Sequence, residues 1–292
     1  MKLYHISELE QLSGIKAPTI RIWERRYNLI QPGRTETNIR MYDDRQVRKL
    51  LNVATLLNNG YKISKIAELD EEDIHAMVLG LQNSGSETDE TAIAFINRLV
   101  VAMLDFDEVN FEITYTAAIK RYGLFDAMLQ VFYPLLQKIG IMWTTEDVTP
   151  VQEHFASAVM RRKLMAATDA LEIKKKRRKK FLLLLPPGEW HEIGLLFANY
   201  IIRSKDIETI YLGQNVPYEQ VAAVLEKTKI SHVLLFLITR REQIDIAFLR
   251  KSMQLPNDLL LLIACSAAVT GILQRTASTH FLQSPFDLLQ HL

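Results

Sequence analysis

The sequence predicts a multidomain chain of α and α/β class, helical in its first part and built on a doubly wound parallel sheet in its last. Three observations predict it. Residues 92–172 carry apolar positions at helical spacing and no strand alternation, whereas from residue 181 short apolar runs alternate with helical segments. A polar, turn-rich stretch, 82–91, separates these regions from a basic front end. With 292 residues, 48% hydrophobic and 24% charged, the chain has room for two or three cores.

The front end reads as short helices. Ile6 to Leu12 places Ile6, Leu9 and Leu12 on one face, with Ser7 as its cap. Ser13-Gly14 makes a turn, and Ala17 to Tyr27 a second helix with Pro18 in its first turn. Asp43 to Asn58 follows, with Val47, Leu50, Leu51, Ala54 and Leu57 at helical spacing and Asn59-Gly60 as its stop. Two short helices about a glycine turn are the helix-turn-helix layout.

Charge agrees with that layout. Residues 1–62 hold 11 Lys/Arg against 6 Asp/Glu, in a chain whose net charge is only +1, so the front end suits an anionic partner. The second helix interleaves Lys16, Thr19, Arg21, Arg25 and Arg26 with Ile20, Ile22 and Trp23. One face can pack while the other offers cations and hydroxyls to phosphates and base edges. The turn Gln31-Pro32-Gly33-Arg34 and the extended Thr37 to Tyr42 could form a wing that sets Arg34, Arg40 and Tyr42 beside a nucleic-acid backbone. A small basic helical domain that binds protein fits the same pattern.

Helical patterns at 91–104, 108–121, 124–139 and 149–171 predict a four-helix bundle. The basic run Lys174 to Lys180 is read as a solvated hinge, with a phosphate contact as the alternative. Beyond it, strands are expected at 181–185, 207–212, 232–238, 258–264 and 279–282. Helices are expected at 191–204, 217–228, 241–252 and 267–275.

One loop carries chemistry. Glu189-Trp190-His191-Glu192-Ile193-Gly194 follows the first strand and a Pro-Pro-Gly turn, where α/β domains bind ligands. A neutral imidazole at His191 can ligate a borderline metal, and Glu189 two residues earlier can hold its second nitrogen. Gly194 leaves room for a bulky group to approach the backbone. A merely solvated or structural histidine is the plain alternative. The single cysteine, Cys265, excludes an intramolecular disulfide and a cysteine-cluster metal site. No apolar run approaches a membrane span and no signal-peptide core is present, so a cytoplasmic protein without membrane association is expected.

The front end resembles the MerR family of transcription regulators. The matching residues are Tyr4-His5-Ile6-Ser7-Glu8-Leu9, Gly14-Ile15, Thr19 to Tyr27, Leu29-Ile30-Gln31-Pro32 and Arg40-Met41-Tyr42. The resemblance implies a winged helix-turn-helix that binds near-palindromic double-stranded promoter DNA as a dimer. By position, Lys16, Thr19, Arg21, Arg34, Arg40 and Tyr42 would contact DNA, while Trp23 and Tyr27 would pack the core.

Residues 92–292 resemble the cobalamin-binding module of MerR-type, light-responsive repressors of carotenoid genes. The matching motifs are Trp143 with Glu153-His154, the loop Glu189, His191, Gly194, and the segment Leu212-Gly213-Gln214-Asn215-Val216-Pro217. This implies a helical cap bundle and a Rossmann-like domain that hold adenosylcobalamin between them, with histidine in place of the nucleotide base at cobalt. His191 would be the cobalt ligand, Glu189 its orienting acid, and Trp143, Glu153 and His154 the contacts to the upper group. In that family light breaks the cobalt–carbon bond, and a change of oligomer state, dimer or tetramer, releases DNA.

Three positions depart from the family. Thr239 stands in for its small hydroxyl residue after the third strand, and Ile263-Ala264-Cys265-Ser266-Ala267 replaces its Gly-Gly. Thr144 replaces the histidine that follows the cap tryptophan in light-sensing members. The expected domains are 1–80 for the DNA-binding head, 92–173 for the cap and 180–292 for the cobalamin domain. The expected function is a non-enzymatic regulator, a repressor, whose cobalamin module controls operator binding and oligomerisation. A regulator whose module has lost its cofactor and serves oligomerisation or another signal is the alternative. The DNA-binding head argues against a cobalamin methyl carrier or enzyme.

Overall fold

A computed structural model of the chain describes residues 3–35, 37–58, 60–83, 91–144, 149–172, 179–238, 245–265 and 278–292. The chain divides into two compact units, Met1–Val159 and Met160–Leu292, with the division inside one helix.

In the first unit, β1 (Leu3–Tyr4), α1 (Ile6–Ser13), α2 (Ala17–Tyr27), β2 (Gly33–Arg34), β3 (Arg40–Asp43) and α3 (Asp44–Asn58) form the head. The three strands make an antiparallel sheet in the order β1-β3-β2, with Tyr4 opposite Tyr42 and Arg34 opposite Arg40, so the expected wing is present. His5, rather than Ser7, is the cap of α1: its N–H donates to the Glu8 carboxylate three residues on. Gly14 ends α1 at φ 74°, the left-handed conformation a helix C-cap favours, and its N–H reaches Glu10 O. Trp23 and Ile20 face the core from α2, but Ile22 is exposed beside Arg21.

Two helices absent from the sequence expectation complete the head, α4 (Ile63–Ile66) and α5 (Glu71–Asn83). The cap helices follow as α6 (Ala92–Leu104), α7 (Glu108–Ala127), a π-helical turn at Met128–Phe132, α8 (Tyr133–Thr144) and α9 (Pro150–Asp169). The gap expected between 121 and 124 falls on Gly123, whose φ of 74° and ψ of 159° break the helix without separating its halves. Helix α6 is buried on all sides from Ala94 to Leu104, because α3 of the head packs along it as well as α7 and α8. Head and bundle to Val159 fall within one compact unit.

The second unit carries β4 (Lys180–Leu184), α10 (Ile193–Ser204), β5 (Glu208–Gly213), α11 (Tyr218–Lys227), β6 (His232–Leu237), α12 (Ile246–Ser252), β7 (Leu260–Cys265), β8 (Thr279–Leu282) and α13 (Pro285–Leu289). All strands are parallel, in the order β5-β4-β6-β7-β8. The winding direction changes between β4 and β6, the doubly wound pattern the sequence predicts. Leu182, Val233, Leu235, Leu261 and Ile263 alternate onto one face and form a core with Tyr218, Val221, Leu249 and Met253 of α11 and α12. The helix expected at 267–275 lies outside the described residues, as do residues 174–178 of the basic run.

Candidate functional site

The loop that follows β4 is built around a buried carboxylate. Glu189 is 3% exposed, whereas the His191 side chain keeps 59% of its surface. Glu189 Oε1 accepts the backbone N–H groups of Trp190 and His191 at 3.1 Å and lies 2.7 Å from His191 Nδ1. Its Oε2 accepts the N–H of Ile238, just past β6, at 3.1 Å. One acid thus ties the histidine to its own loop and to the neighbouring strand. A carboxylate already accepting backbone N–H groups draws the imidazole proton to Nδ1, which puts the ring's lone pair on Nε2.

The segment after β5 closes the loop from below. Leu185 N–H donates to Gly213 O and Val216 N–H to Leu185 O. Asn215 Oδ1 accepts Gly188 N–H at 2.9 Å, and Gln214 Nε2 donates to Trp190 O at 2.7 Å. Gly213 at φ 79° and Asn215 at φ 53° supply the left-handed turn this requires. The sequence marked Leu212–Pro217 only by resemblance; its role as the mate of the histidine loop is a product of the β4–β5 pairing.

Glu192, which the sequence pattern did not single out, is 5% exposed and stands before α10. Its Oε1 lies 2.5 Å from Arg161 Nε of α9, and its Oε2 accepts the Tyr211 hydroxyl at 3.0 Å. Burial and the adjacent Glu192 charge push the Tyr211 phenol far above its ordinary pKa, so it stays a donor. The signal available was an acid at a helix start in an otherwise apolar run.

Gly194 differs from expectation. A Cβ at that position would meet the Phe236 ring at 2.7 Å, so the room read as space for an approaching group is taken by a side chain of this protein. Glu153 and His154 sit in the first turns of α9, with His154 Nε2 3.7 Å from Glu153 Oε2 and 76% of the histidine side chain exposed. Trp143 lies in the last turn of α8; its side chain, and all of Thr239, are outside the described residues.

In the head, Lys16, Arg21 and Arg34 are exposed and Thr19 and Arg40 half-buried. Lys16 Nζ is 2.9 Å from Glu10, and Arg34 donates to Asn38 at 2.5 Å. Arg21 and Arg40 line one groove with His5, Ile6 and Ser7 at the start of α1. Tyr42 does not belong to that surface. It is fully buried, and its hydroxyl donates to Glu24, whose other oxygen receives Arg40 Nε at 3.1 Å. The aromatic ring is core, and Tyr42 fastens the wing strand to α2 instead of facing outward. Cation and apolar roles are thus divided between neighbours that the sequence pattern placed together.

Among the described residues no three His, Cys, Asp or Glu side chains converge as a protein-only metal site needs. His191 offers one ligand, the number that a metal already held in a macrocycle requires. Among the described residues no helix is long and apolar enough to cross a membrane.

Comparison with known proteins agrees with both halves of this description. Residues 4–73 match the MerR HTH family regulatory proteins, and residues 95–168 match a B12 binding domain. The HTH-type transcriptional repressor CarH of Myxococcus xanthus is 27% identical over 271 residues, spanning 91% of this chain and 90% of the relative. The repressor CarA of the same organism is 28% identical over 216 residues, 73% of this chain and 68% of the relative. The solved monomethylamine corrinoid protein of Methanosarcina barkeri shares the fold, with a TM-score of 0.51 at 16% identity, over 68% of this chain and 96% of that one. The chain thus joins a MerR-type HTH head, over residues 4–73, to a B12-binding helical segment, over residues 95–168, and along most of its length it is similar to transcriptional repressors.

Proposed function

We propose that this regulator is a repressor whose hold on its operator is set by a corrinoid of the adenosylcobalamin type, with His191 as the protein's ligand to cobalt. The observation that carries the reading is the Glu189–His191 pair. An exposed imidazole follows the carboxyl end of β4, its Nδ1 2.7 Å from a buried carboxylate. That is the arrangement of a metal-binding histidine with its orienting acid. When bound, the cofactor supplies a cobalt–carbon bond that light can break.

The residues of the chain do the rest. Glu189 fixes the tautomer and the orientation of the ring. Trp143, Glu153 and His154 are assigned to the upper group, on the likeness to the CarH-type repressors. Helix α8, which carries Trp143, also carries Lys138, whose ammonium donates to Leu12 O in the last turn of α1 and to Asn97 Oδ1 of α6 at 3.1 Å. Burial draws the Lys138 pKa down to about 8. A shift of α8 would therefore be felt at the turn that sets α2. On α2 and the wing, Lys16, Thr19, Arg21, Arg34 and Arg40 are assigned to DNA, with a self-association of dimer or tetramer supplying the second half-site. The segments 1–80, 92–173 and 180–292 act as reader, cap and cofactor domain.

The experiment uses the full chain and DNA selected by it from a random pool. Adenosylcobalamin added in the dark should co-elute with the protein and change both its elution volume and its affinity for the selected DNA. DNA binding indifferent to a co-eluting corrinoid would refute sensing. A protein that retains neither adenosylcobalamin nor adenosylcobinamide would favour a module that works without a corrinoid.

A further inference from the structure

In a sheet wound like this one, ligands enter the crevice outside the carboxyl ends of the strands flanking the change of direction, here β4 and β6. That crevice has an aromatic occupant. Val233, Leu235 and Leu237 of β6 face the core under α11 and α12, so Phe236 projects from the opposite face. There its ring lies against the first turn of α10: a Cβ on Gly194 would be 2.7 Å from Phe236 Cε1 and 3.1 Å from Cδ1. The backbone under the ring is held. Ile238 N–H, two residues on, donates to Glu189, and Phe236 sits in register with buried Ala264 of β7.

The chemistry of a corrinoid makes this position decisive. A cobalt in a corrin ring has one lower position. If His191 takes it, the benzimidazole nucleotide of complete cobalamin is displaced and needs a cavity of its own beside the histidine loop. Phe236 fills the space next to that loop. Resting on the reading of His191 as cobalt ligand, we infer that Phe236 sets ligand selectivity, so that the chain takes a corrinoid without the lower nucleotide, of the cobinamide class, in preference to complete cobalamin. Housing the tail would require the ring to leave its packing against Gly194, an overpacking penalty that translates into about tenfold in affinity or more.

The test compares adenosylcobinamide with adenosylcobalamin, which share the upper group and differ only in the nucleotide tail. Both are titrated by visible spectrum onto the same preparations of full-length wild type, Phe236→Ser and Phe236→Leu. Wild type should bind adenosylcobinamide at least about tenfold more tightly. Phe236→Ser should move the ratio of the two dissociation constants toward cobalamin by about tenfold, and Phe236→Leu by less. Because each ratio is taken on one preparation, partial loss of folded protein cancels. Wild type that binds cobalamin as tightly as cobinamide, or a ratio unmoved by Phe236→Ser, overturns the selectivity while leaving the His191 reading intact. Wild type that binds neither corrinoid overturns both.

Discussion

Glu189 holds His191 through a single oxygen, Oε1, which stands 2.7 Å from the imidazole Nδ1 and also accepts the histidine's own backbone N–H. Side chain and main chain of one residue are thus fixed by the same buried acceptor. Glu189→Ala would leave the N–H groups of Trp190, His191 and Ile238 without that partner. All three residues are exposed, where water can take over from the lost acceptor, so we expect only a small fall in the unfolding midpoint, about 1 kcal/mol or less. Corrinoid affinity should fall about 10–100-fold, as for other orienting acids. Glu189→Gln, which keeps the shape and an acceptor oxygen, should recover most of the stability and less of the affinity. Equal affinities for Gln and wild type would show that the carboxylate's charge does not matter.

Arg161→Ala should cost about 1–2 kcal/mol, below the range for a fully buried pair because the arginine side chain is 41% exposed. The loss comes from Glu192, which is 5% exposed and keeps only the Tyr211 hydroxyl at 3.0 Å in place of two partners. Adding Glu192→Gln removes the uncompensated charge. Denaturant melts of the two single variants and the double should therefore show non-additivity, with the double no less stable than Arg161→Ala alone. Additive losses would mean the two groups are not coupled.

Tyr42→Phe separates a core role from a DNA-contacting one. The hydroxyl it removes serves Glu24, so stability should drop by about 1–2 kcal/mol. The slope of DNA affinity against salt should stay the same, since no phosphate contact is lost. Arg21→Ala, on the exposed face of α2, should instead weaken DNA binding without a comparable loss of stability. A shallower salt slope for Tyr42→Phe would return that residue to the interface.

His232 gives the sheet unit an acid limit. It is 8% exposed, stacked on Phe181 at 4.3 Å, and held neutral, with its pKa lowered from 6.5 to about 4 by burial first and by Lys179 and His291 next. The folded pKa lies below the unfolded one, so between these values the unfolded chain binds the extra proton. Its contribution is therefore full above pH 6.5 and lost as pH falls toward 4. His232→Phe should flatten the stability profile across that window in urea melts at stepped pH. A profile as steep as wild type would assign the acid sensitivity elsewhere.

Much of this molecule was legible in the sequence because its signals are local. Gly14 and Pro18 delimit the helix-turn-helix, and the apolar runs at 181–185 and 232–238 can only be buried strands when helices separate them. The loop Glu189–Gly194 was legible for the same reason, since its partners are two residues apart. What the sequence concealed depends on distant pairings. The Arg161–Glu192–Tyr211 group joins a helix, a helix cap and a strand, and Tyr42 is drawn inward only because Glu24 awaits it on α2. Gly194 shows the limit well. A glycine advertises space, and only the packing of α10 against the face of β6 that carries Phe236 shows that this ring has filled it.

The central claim, that His191 supplies the lower ligand to cobalt, is tested most directly with adenosylcobinamide, which brings no base of its own. Its visible spectrum should shift to that of a nitrogen-ligated corrinoid on saturation with wild-type protein, and should keep its unligated form with His191→Ala. An unshifted spectrum with bound wild type, or the same shift with His191→Ala, would contradict the account.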